Sequence, residues 1–301
     1  MGIDEIHLKF NQNNLWALNL CLAFIMFGVA LELKIDDFKR IAESPKASLV
    51  GLSSQFILLP FVTYLLVIVI QPQASIALGM MLVAACPGGN ISNFLTHLSK
   101  GNTALSVTLT AIGTVLAIFM TPFNLELWAS MYEPTSTLLK EIQLNAYDLF
   151  QSILLLAGIP LTVGMYFAHY LPALAAKVSK AVKPLSIIIF LGFVILAFSN
   201  NFNHFLSHIH MVVFIVFIHN AFALLTGYLS AKTFRLSLAD QKSVTIETGI
   251  QNSGLGLFLI FSFFNGMGGM AFVAAWWGIW HIISGLILAT YWSGKTTVQP
   301  A

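Results

Sequence analysis

CPGGNISN, residues 86–93, stands inside an apolar run, with MLVAA (81–85) leading in and FLTHLS (94–99) following. Pro87 has no N–H and disfavours continuation of the preceding helical turn, and Gly88 and Gly89 admit unusual dihedrals. Asn90 or Ser92 can cap a helix that restarts after them. The stretch therefore predicts a helix that is broken and resumed. If the flanking runs lie in a membrane, the break also frees backbone groups that lipid cannot satisfy, at several kcal/mol each.

The composition places those runs in a membrane. The chain has 301 residues, 57% hydrophobic and 9% charged, with 25 Phe. A soluble domain needs far more charge on its surface, and here long apolar runs recur from end to end. The fold class that follows is an all-α polytopic membrane protein. The N-terminal MGIDEIHLKF is short and acidic and lacks the pattern of a cleaved signal peptide. Cys21 and Cys86 both lie in apolar runs and define no disulfide framework. Nothing resembles a nucleophile with its base, a phosphate loop or a redox site, so an enzyme is not expected. No basic patch with interleaved aromatics points to nucleic acid. HFLSHIH (204–210) has spacing that a metal could use, but no carboxylate or cysteine accompanies it, and it reads as a polar rim.

Nine transmembrane helices are expected, at about 15–33, 46–71, 73–100, 102–125, 146–170, 184–200, 210–231, 241–264 and 269–293. The basic residues test the count. Lys34, Lys39, Arg40, Lys46, Lys100, Lys177, Lys180, Lys183, Lys232, Arg235, Lys242 and Lys295 all fall on one side, and only Lys9 and Lys140 on the other. By the positive-inside rule the N-terminus is external and the C-terminus cytoplasmic.

A second polar interruption, ETGIQNSG (247–254), breaks the eighth span as PGGNISN breaks the third. The two broken spans run in opposite senses, which predicts an inverted-topology repeat with two broken, crossing helices. The first repeat is 15–125, the second 184–293, and 146–170 is an unpaired helix, all within one integral membrane unit, 1–301. A short interfacial helix is expected between Pro122 and Asp148. Crossed breaks would bring two positive helix N-termini and two sets of free carbonyls to mid-membrane, where an anion and a cation can both be held.

Glu247 is the one acidic residue of the 12 that cannot be placed in a loop or near a span end. An intramembrane carboxylate costs about 2.5 kcal/mol or more and reads as functional. Either a proton or a bound cation neutralises it. The oxygens nearby favour a cation such as Na⁺: Gln251 one turn on, the opened backbone at Thr248 and Ile250, and Ser92, Asn93, Ser106 and Thr110 from the other half. Ser106 and Thr110 share a helix face, although each hydroxyl can also bond back to its own helix. Gln55, polar within VGLSSQFILLPF (50–61), fits a ligand or a helix–helix hydrogen bond equally well. His219 and Asn220, inside the seventh span, fit a helix–helix bond or a place in a transport path.

PGGNISN, the following KGNTALSVTLT (100–110), ETGIQNSG, and Trp280, His281, Ser284 and Gly285 in the last span together resemble the bile acid:sodium symporter family, and the likeness runs from about Leu20 to Trp292. It is to the bacterial members, which have ten helices in a core and a panel domain; here the first of the ten is expected to be missing, leaving nine. The resemblance implies sodium-coupled symport of an organic anion by alternating access, with two Na⁺. One ion would be held by Ser92, Asn93, Ser106, Thr110 and Glu247. The other would be held by Gln55, Glu247, Gln251 and the carbonyls of Thr248 and Ile250. Asn90 stands where bacterial members often have threonine, and Ile282 follows His281 where asparagine is usual. Asn90 and Asn252 are the expected substrate contacts, since both can donate to a carboxylate. The implied partners are an organic anion, bile acid-like or a small metabolic carboxylate, and the lipid bilayer. No obligatory protein partner is inferred, and the implied location is a bacterial inner membrane. A proton-coupled or uncoupled carrier of the same fold, a channel and a non-transporting receptor are the alternatives.

The topology is checked with single cysteines introduced at Lys9, Lys180 and Lys295 in intact cells. An impermeant maleimide should label the first and spare the other two. Labelling of Lys295→Cys from outside would overturn the orientation.

Overall fold

The structure, a computed structural model, describes residues 2–8, 12–33, 36–37, 44–142, 146–199 and 202–295. It is all-helical. In chain order the helices are α1 (Gln12–Ala30), α2 (Pro45–Ile70), α3 (Ala74–Ala85), α4 (Ile91–Leu98), α5 (Thr103–Ser130), α6 (Glu133–Ile142), α7 (Tyr147–Tyr170), α8 (Pro172–Ser199), α9 (Phe202–Thr233), α10 (Leu238–Gly249), α11 (Ser253–Phe263) and α12 (Gly268–Lys295). Among the described residues α2, α5, α7, most of α9 and α12 are long and apolar enough to cross a membrane, and three shorter apolar helices lie in α1, α3 and α11. The protein is a multi-pass membrane protein.

α3 and α11 are apolar on every side, and such helices belong in a protein interior. Every residue from Ser75 to Ala85 is buried, and in α11 so is each of Leu255 to Phe261. At 12 and 11 residues, each is about 18 Å long or less, well short of a bilayer core. They complete their paths through α4 and α10, with which they form two interrupted helices. Leu78, Met80 and Leu82 of α3, Phe258 of α11, and Phe272 and Trp277 of α12 belong to the main apolar cluster. The N-terminal segment closes one end of this cluster. Ile3, Ile6 and Leu8 are buried there. Asp4 Oδ1 accepts from the Ser75 N–H at 2.9 Å, while Leu8 N–H donates to Gly266 O at 2.8 Å and Gly268 N–H to Ile6 O at 2.7 Å.

Helix ends differ from those expected where a helix continues past its apolar run. α5 reaches Ser130 and α8 begins at Pro172, before Lys177, Lys180 and Lys183. Hydropathy reports which part of a helix suits lipid, whereas the backbone bonds continue into polar sequence. HFLSHIH likewise falls inside α9. The short helix expected between Pro122 and Asp148 is α6.

Two π-turns, Ser54–Leu58 in α2 and Leu154–Gly158 in α7, each precede a proline by two residues, Pro60 and Pro160. Pro60 cannot donate to the Phe56 carbonyl four residues back, and Asn124 Nδ2 of α5 donates to it instead at 3.0 Å. The π-turn widens α2 at Gln55, directly opposite the helix breaks.

α9 and α10 approach closely at Gly227, where a Cβ would stand 2.8 Å from Thr245 Cα and 2.9 Å from the Val244 carbonyl. Backbone cannot give way as a side chain can, so Gly227→Ala should destabilise by about 1–3 kcal/mol. Gly192→Ala, with nothing within 4 Å of the new Cβ, should be neutral or slightly stabilising in its helix. Thermal unfolding of the two purified variants in detergent checks the contrast; equal melting temperatures would refute it.

Candidate functional site

The two helix breaks touch. Gly88 and Gln251 form an antiparallel bridge, in which Gly89 N–H donates to Ile250 O at 2.7 Å and Asn252 N–H to Pro87 O at 2.8 Å. Each interruption thus satisfies the other's freed backbone. The glycines act differently from the expectation. Among described glycines the positive φ belongs to Gly266, not to Gly88 or Gly89. What Gly88 supplies is space, because a Cβ there would run into Glu247 Oε1, and one on Gly89 would lie 3.1 Å from the Gln251 carbonyl. Gly249 is likewise a close approach, against the Leu224 side chain.

Glu247 is 3% exposed, near the end of α10. Its Oε2 accepts from Ser92 Oγ at 2.6 Å and from Ser106 Oγ at 3.1 Å, and its Oε1 from Thr110 Oγ1 at 2.7 Å. Asn93 Oδ1 lies 2.9 Å from Ser106 Oγ and 3.3 Å from Thr110 Oγ1. All five residues expected around one ion are therefore together, drawn from α4, α5 and α10. The group is short of protons. Ser106 has one hydroxyl proton and two acceptors in reach, Asn93 and Glu247. Thr110 has one and three, its own turn's Ser106 carbonyl included. A cation among these oxygens would supply the positive charge that the protons cannot. One carboxylate with otherwise neutral oxygens matches a monovalent ion better than a divalent one, which collects several carboxylates.

The second group lies beside the bridge. Gln55 Nε2 donates to Gln251 Oε1 at 2.7 Å and to the Cys86 carbonyl at 3.0 Å. Gln251 Nε2 donates to the Thr248 carbonyl at 2.7 Å. Gln55 Oε1 is buried with no hydrogen-bond partner, an acceptor aimed at nothing that donates. Gln55, Thr248, Ile250 and Gln251 are thus brought together. Glu247 belongs to the same stretch of chain, but both its oxygens are engaged by the hydroxyls of the first group, and the Ile250 carbonyl is engaged by Gly89.

Asn252 caps α11, its Oδ1 accepting from Leu255 N–H at 3.0 Å, which leaves its Nδ2 to donate elsewhere. Asn90 is the residue before α4 but makes no side-chain cap bond, and Ser92, the other expected cap, gives its hydroxyl to Glu247 instead. Three supporting residues, Thr96, Thr121 and Asn124, carried no separable signal in the sequence, and Asn220 was open between two roles. Thr96 donates to Ser106 Oγ at 3.3 Å, Thr121 to the Ala85 carbonyl at 2.8 Å, and Asn124 holds Phe56. Asn220 Nδ2 donates to the Gly249 carbonyl at 2.8 Å, which resolves its role as a bond between helices. His219 Nε2 pairs with Thr63 Oγ1 at 2.8 Å, its ring edge-on to Trp277. Among the described residues, no three of His, Cys, Asp and Glu gather as a metal centre would require.

Comparison with known proteins adds to this geometry. The model of the sodium bile acid symporter family matches residues 19–208. The chain is similar to the "Uncharacterized sodium-dependent transporter YocS" of Bacillus subtilis (strain 168), 36% identical over 284 residues, which are 94% of this chain and 85% of that one. It is 30% identical over 281 residues to the "Probable sodium/metabolite cotransporter BASS1, chloroplastic" of Arabidopsis thaliana, covering 92% of this chain and 67% of that one. With the P3 protein of Bos taurus it shares 28% identity over 264 residues, 86% of this chain and 53% of that one.

Proposed function

The chain belongs to the sodium bile acid symporter family, and we propose that it is a bacterial symporter that uses two sodium ions to bring an organic anion inward by alternating access. The family is one of sodium-coupled transporters of small organic anions and metabolites, not of enzymes. The observation that carries the proposal is the buried carboxylate of Glu247, ringed by Ser92, Asn93, Ser106 and Thr110 at the meeting of two helix breaks. One ion sits in that ring. The second takes Gln55, whose Oε1 has no donor, with Gln251, Glu247 and the carbonyls of Thr248 and Ile250. For the second ion to bind, Glu247 shares its charge between the sites and the Ile250 carbonyl uses its second lone pair. We place the N-terminus outside and the C-terminus in the cytoplasm of a bacterial inner membrane, with nine crossings in an inverted repeat, 15–125 and 184–293. In this reading 146–170 joins the panel, against which the core of broken helices moves.

Two Na⁺ with a monovalent anion carry one net positive charge inward, so the membrane potential contributes about 2.3 kcal/mol per 100 mV. Glu247→Ala should insert normally and lose sodium-dependent uptake. The measurement is uptake of a labelled organic acid into vesicles with a sodium gradient, and again with only a pH gradient. Uptake by Glu247→Ala with its sodium dependence intact would eliminate this site. Uptake by the wild type driven by pH without sodium would make the carrier proton-coupled.

The anion meets the crossing through Asn90 and Asn252, at the starts of α4 and α11, where the positive helix ends favour it. Bile acid-like anions and small metabolic carboxylates share the carboxylate that this position would bind. Screening organic acids for sodium-dependent thermal stabilisation identifies the best ligand. Asn90→Ala and Asn252→Ala should each weaken its binding by about 10- to 150-fold, as expected when a charge-assisted hydrogen bond of about 1.5–3 kcal/mol is lost. Unchanged affinity in both variants would move the anion elsewhere.

A further inference from the structure

The bridge between the breaks relates them by a local two-fold. Its two hydrogen bonds, Gly89 N–H to Ile250 O and Asn252 N–H to Pro87 O, exchange Gly89 with Asn252 and Pro87 with Ile250. The same operation exchanges Cys86 with Gly249. The carbonyls of these two residues are treated alike. Gln55 Nε2, from the helix before the first broken one, donates to Cys86 O at 3.0 Å. Asn220 Nδ2, from the helix before the second, donates to Gly249 O at 2.8 Å. Asn220 is thus the counterpart of Gln55 across the crossing.

The two amides differ at their oxygens. Gln55 Oε1 has no partner, whereas Asn220 Oδ1 accepts from Ser284 Oγ of α12 at 2.6 Å. With its oxygen turned to Ser284 and its amide nitrogen to Gly249, Asn220 stands outside the five residues assigned to the second ion. Its effect falls on the peptide between Gly249 and Ile250. That peptide is held at its carbonyl by Asn220 and at its N–H by the Ile246 carbonyl, 2.9 Å away. On the same face of α9, one turn on, Leu224 packs so closely over Gly249 that a Cβ there would collide with it. The chain leaves helix at this point, with Ile250 extended at φ −112 and ψ 94, so successive carbonyls diverge. With the Gly249 carbonyl fixed toward α9, that of Thr248 faces Gln251 Nε2 and that of Ile250 faces the Gly89 N–H.

We infer that Asn220, held by Ser284, is a positioning residue for the second sodium site, orienting the backbone carbonyls that ligate the ion. The inference rests on the two-ion reading above. The wild type and Glu247→Ala separate failure of the one from failure of the other.

The experiment is equilibrium binding of ²²Na⁺ to the purified full-length protein. Wild type should bind two ions, and Glu247→Ala should bind neither with measurable affinity. Asn220→Ala should lose affinity at one site by about 10–100-fold, the effect of removing a residue that orients a metal ligand, and keep the other. A purely structural defect would lower both sites together. The loss should not add to that of Gln55→Leu, which strikes the same site, and should add to that of Ser92→Ala, which strikes the other. Ser284→Ala should weaken the same site, and Ser284→Thr, which keeps the hydroxyl, should recover what alanine loses. If wild type binds no sodium, or Glu247→Ala binds it normally, the sodium reading itself falls. If wild type binds two ions and Asn220→Ala binds both with unchanged affinity, Asn220 has no positioning role. If Asn220→Ala does not fold, the Ser284 pair decides: sodium affinity equal to wild type in Ser284→Ala overturns the inference.

Discussion

Glu247 Oε1 and Oε2 face three hydroxyls, each with one proton, and two of those hydroxyls have other acceptors to serve. A carboxylate at this depth in a membrane protein costs about 2.5–3.5 kcal/mol on insertion scales, and no lysine or arginine appears among its hydrogen-bond partners. The surrounding architecture is what makes the group tolerable. Ser92 opens α4 only because the chain breaks at Pro87. Ser106 and Thr110 project together because they are one turn apart on α5. Gly88 lacks a side chain because Glu247 occupies the space it would take. The first break, the glycine and the hydroxyl pair all meet at this one carboxyl group.

Breaking two helices inside an apolar core frees carbonyls that lipid cannot satisfy, and six of those at the breaks have a named donor. Thr121 serves Ala85, Gln55 serves Cys86, and the Asn252 N–H serves Pro87. Gln251 serves Thr248, Asn220 serves Gly249, and the Gly89 N–H serves Ile250. Polar side chains scattered through α2, α5 and α9 are the supports of this arrangement. Asn124 extends it outward, because the π-turn that aims Gln55 is followed by Pro60, and Pro60 strands the Phe56 carbonyl that Asn124 takes up.

The parts legible in sequence were those where local chemistry conflicts with its surroundings. Proline, glycine and acid within apolar runs stand out whatever the tertiary structure, which is why both breaks and Glu247 could be read directly. Thr121 and Asn124 could not, and Asn220 only as one of two roles, since a lone threonine or asparagine in an apolar helix has the same local appearance whether it bonds its own turn or a distant carbonyl. Asn90 was misjudged as a cap for a related reason: capping depends on where the side chain points, and the sequence gives only the residue type. Gly88 and Gly89 were correctly marked but for the wrong cause. Their need for space arises from a contact with a segment roughly half the chain away, and no local rule reports that.

On the sodium reading, the same charge explains why ion and anion bind together. The starts of α4 and α11 meet at the crossing, and each presents a partial positive charge of about half a unit from its helix dipole. An ionised Glu247 beside them opposes that field, and an incoming carboxylate would meet nearly balanced charges. Sodium between the hydroxyls and Glu247 cancels the opposing charge and leaves the two helix ends to act on the anion. It also joins α4, α5 and α10 through one centre, fixing the register of the bridge that carries Asn252. By linkage, an anion that binds better with the ion present must hold the ion more tightly in return, by the same factor. On this reading coupling needs no distant pathway, because Glu247, against Gly88, and Asn252 both adjoin the same two-bond bridge.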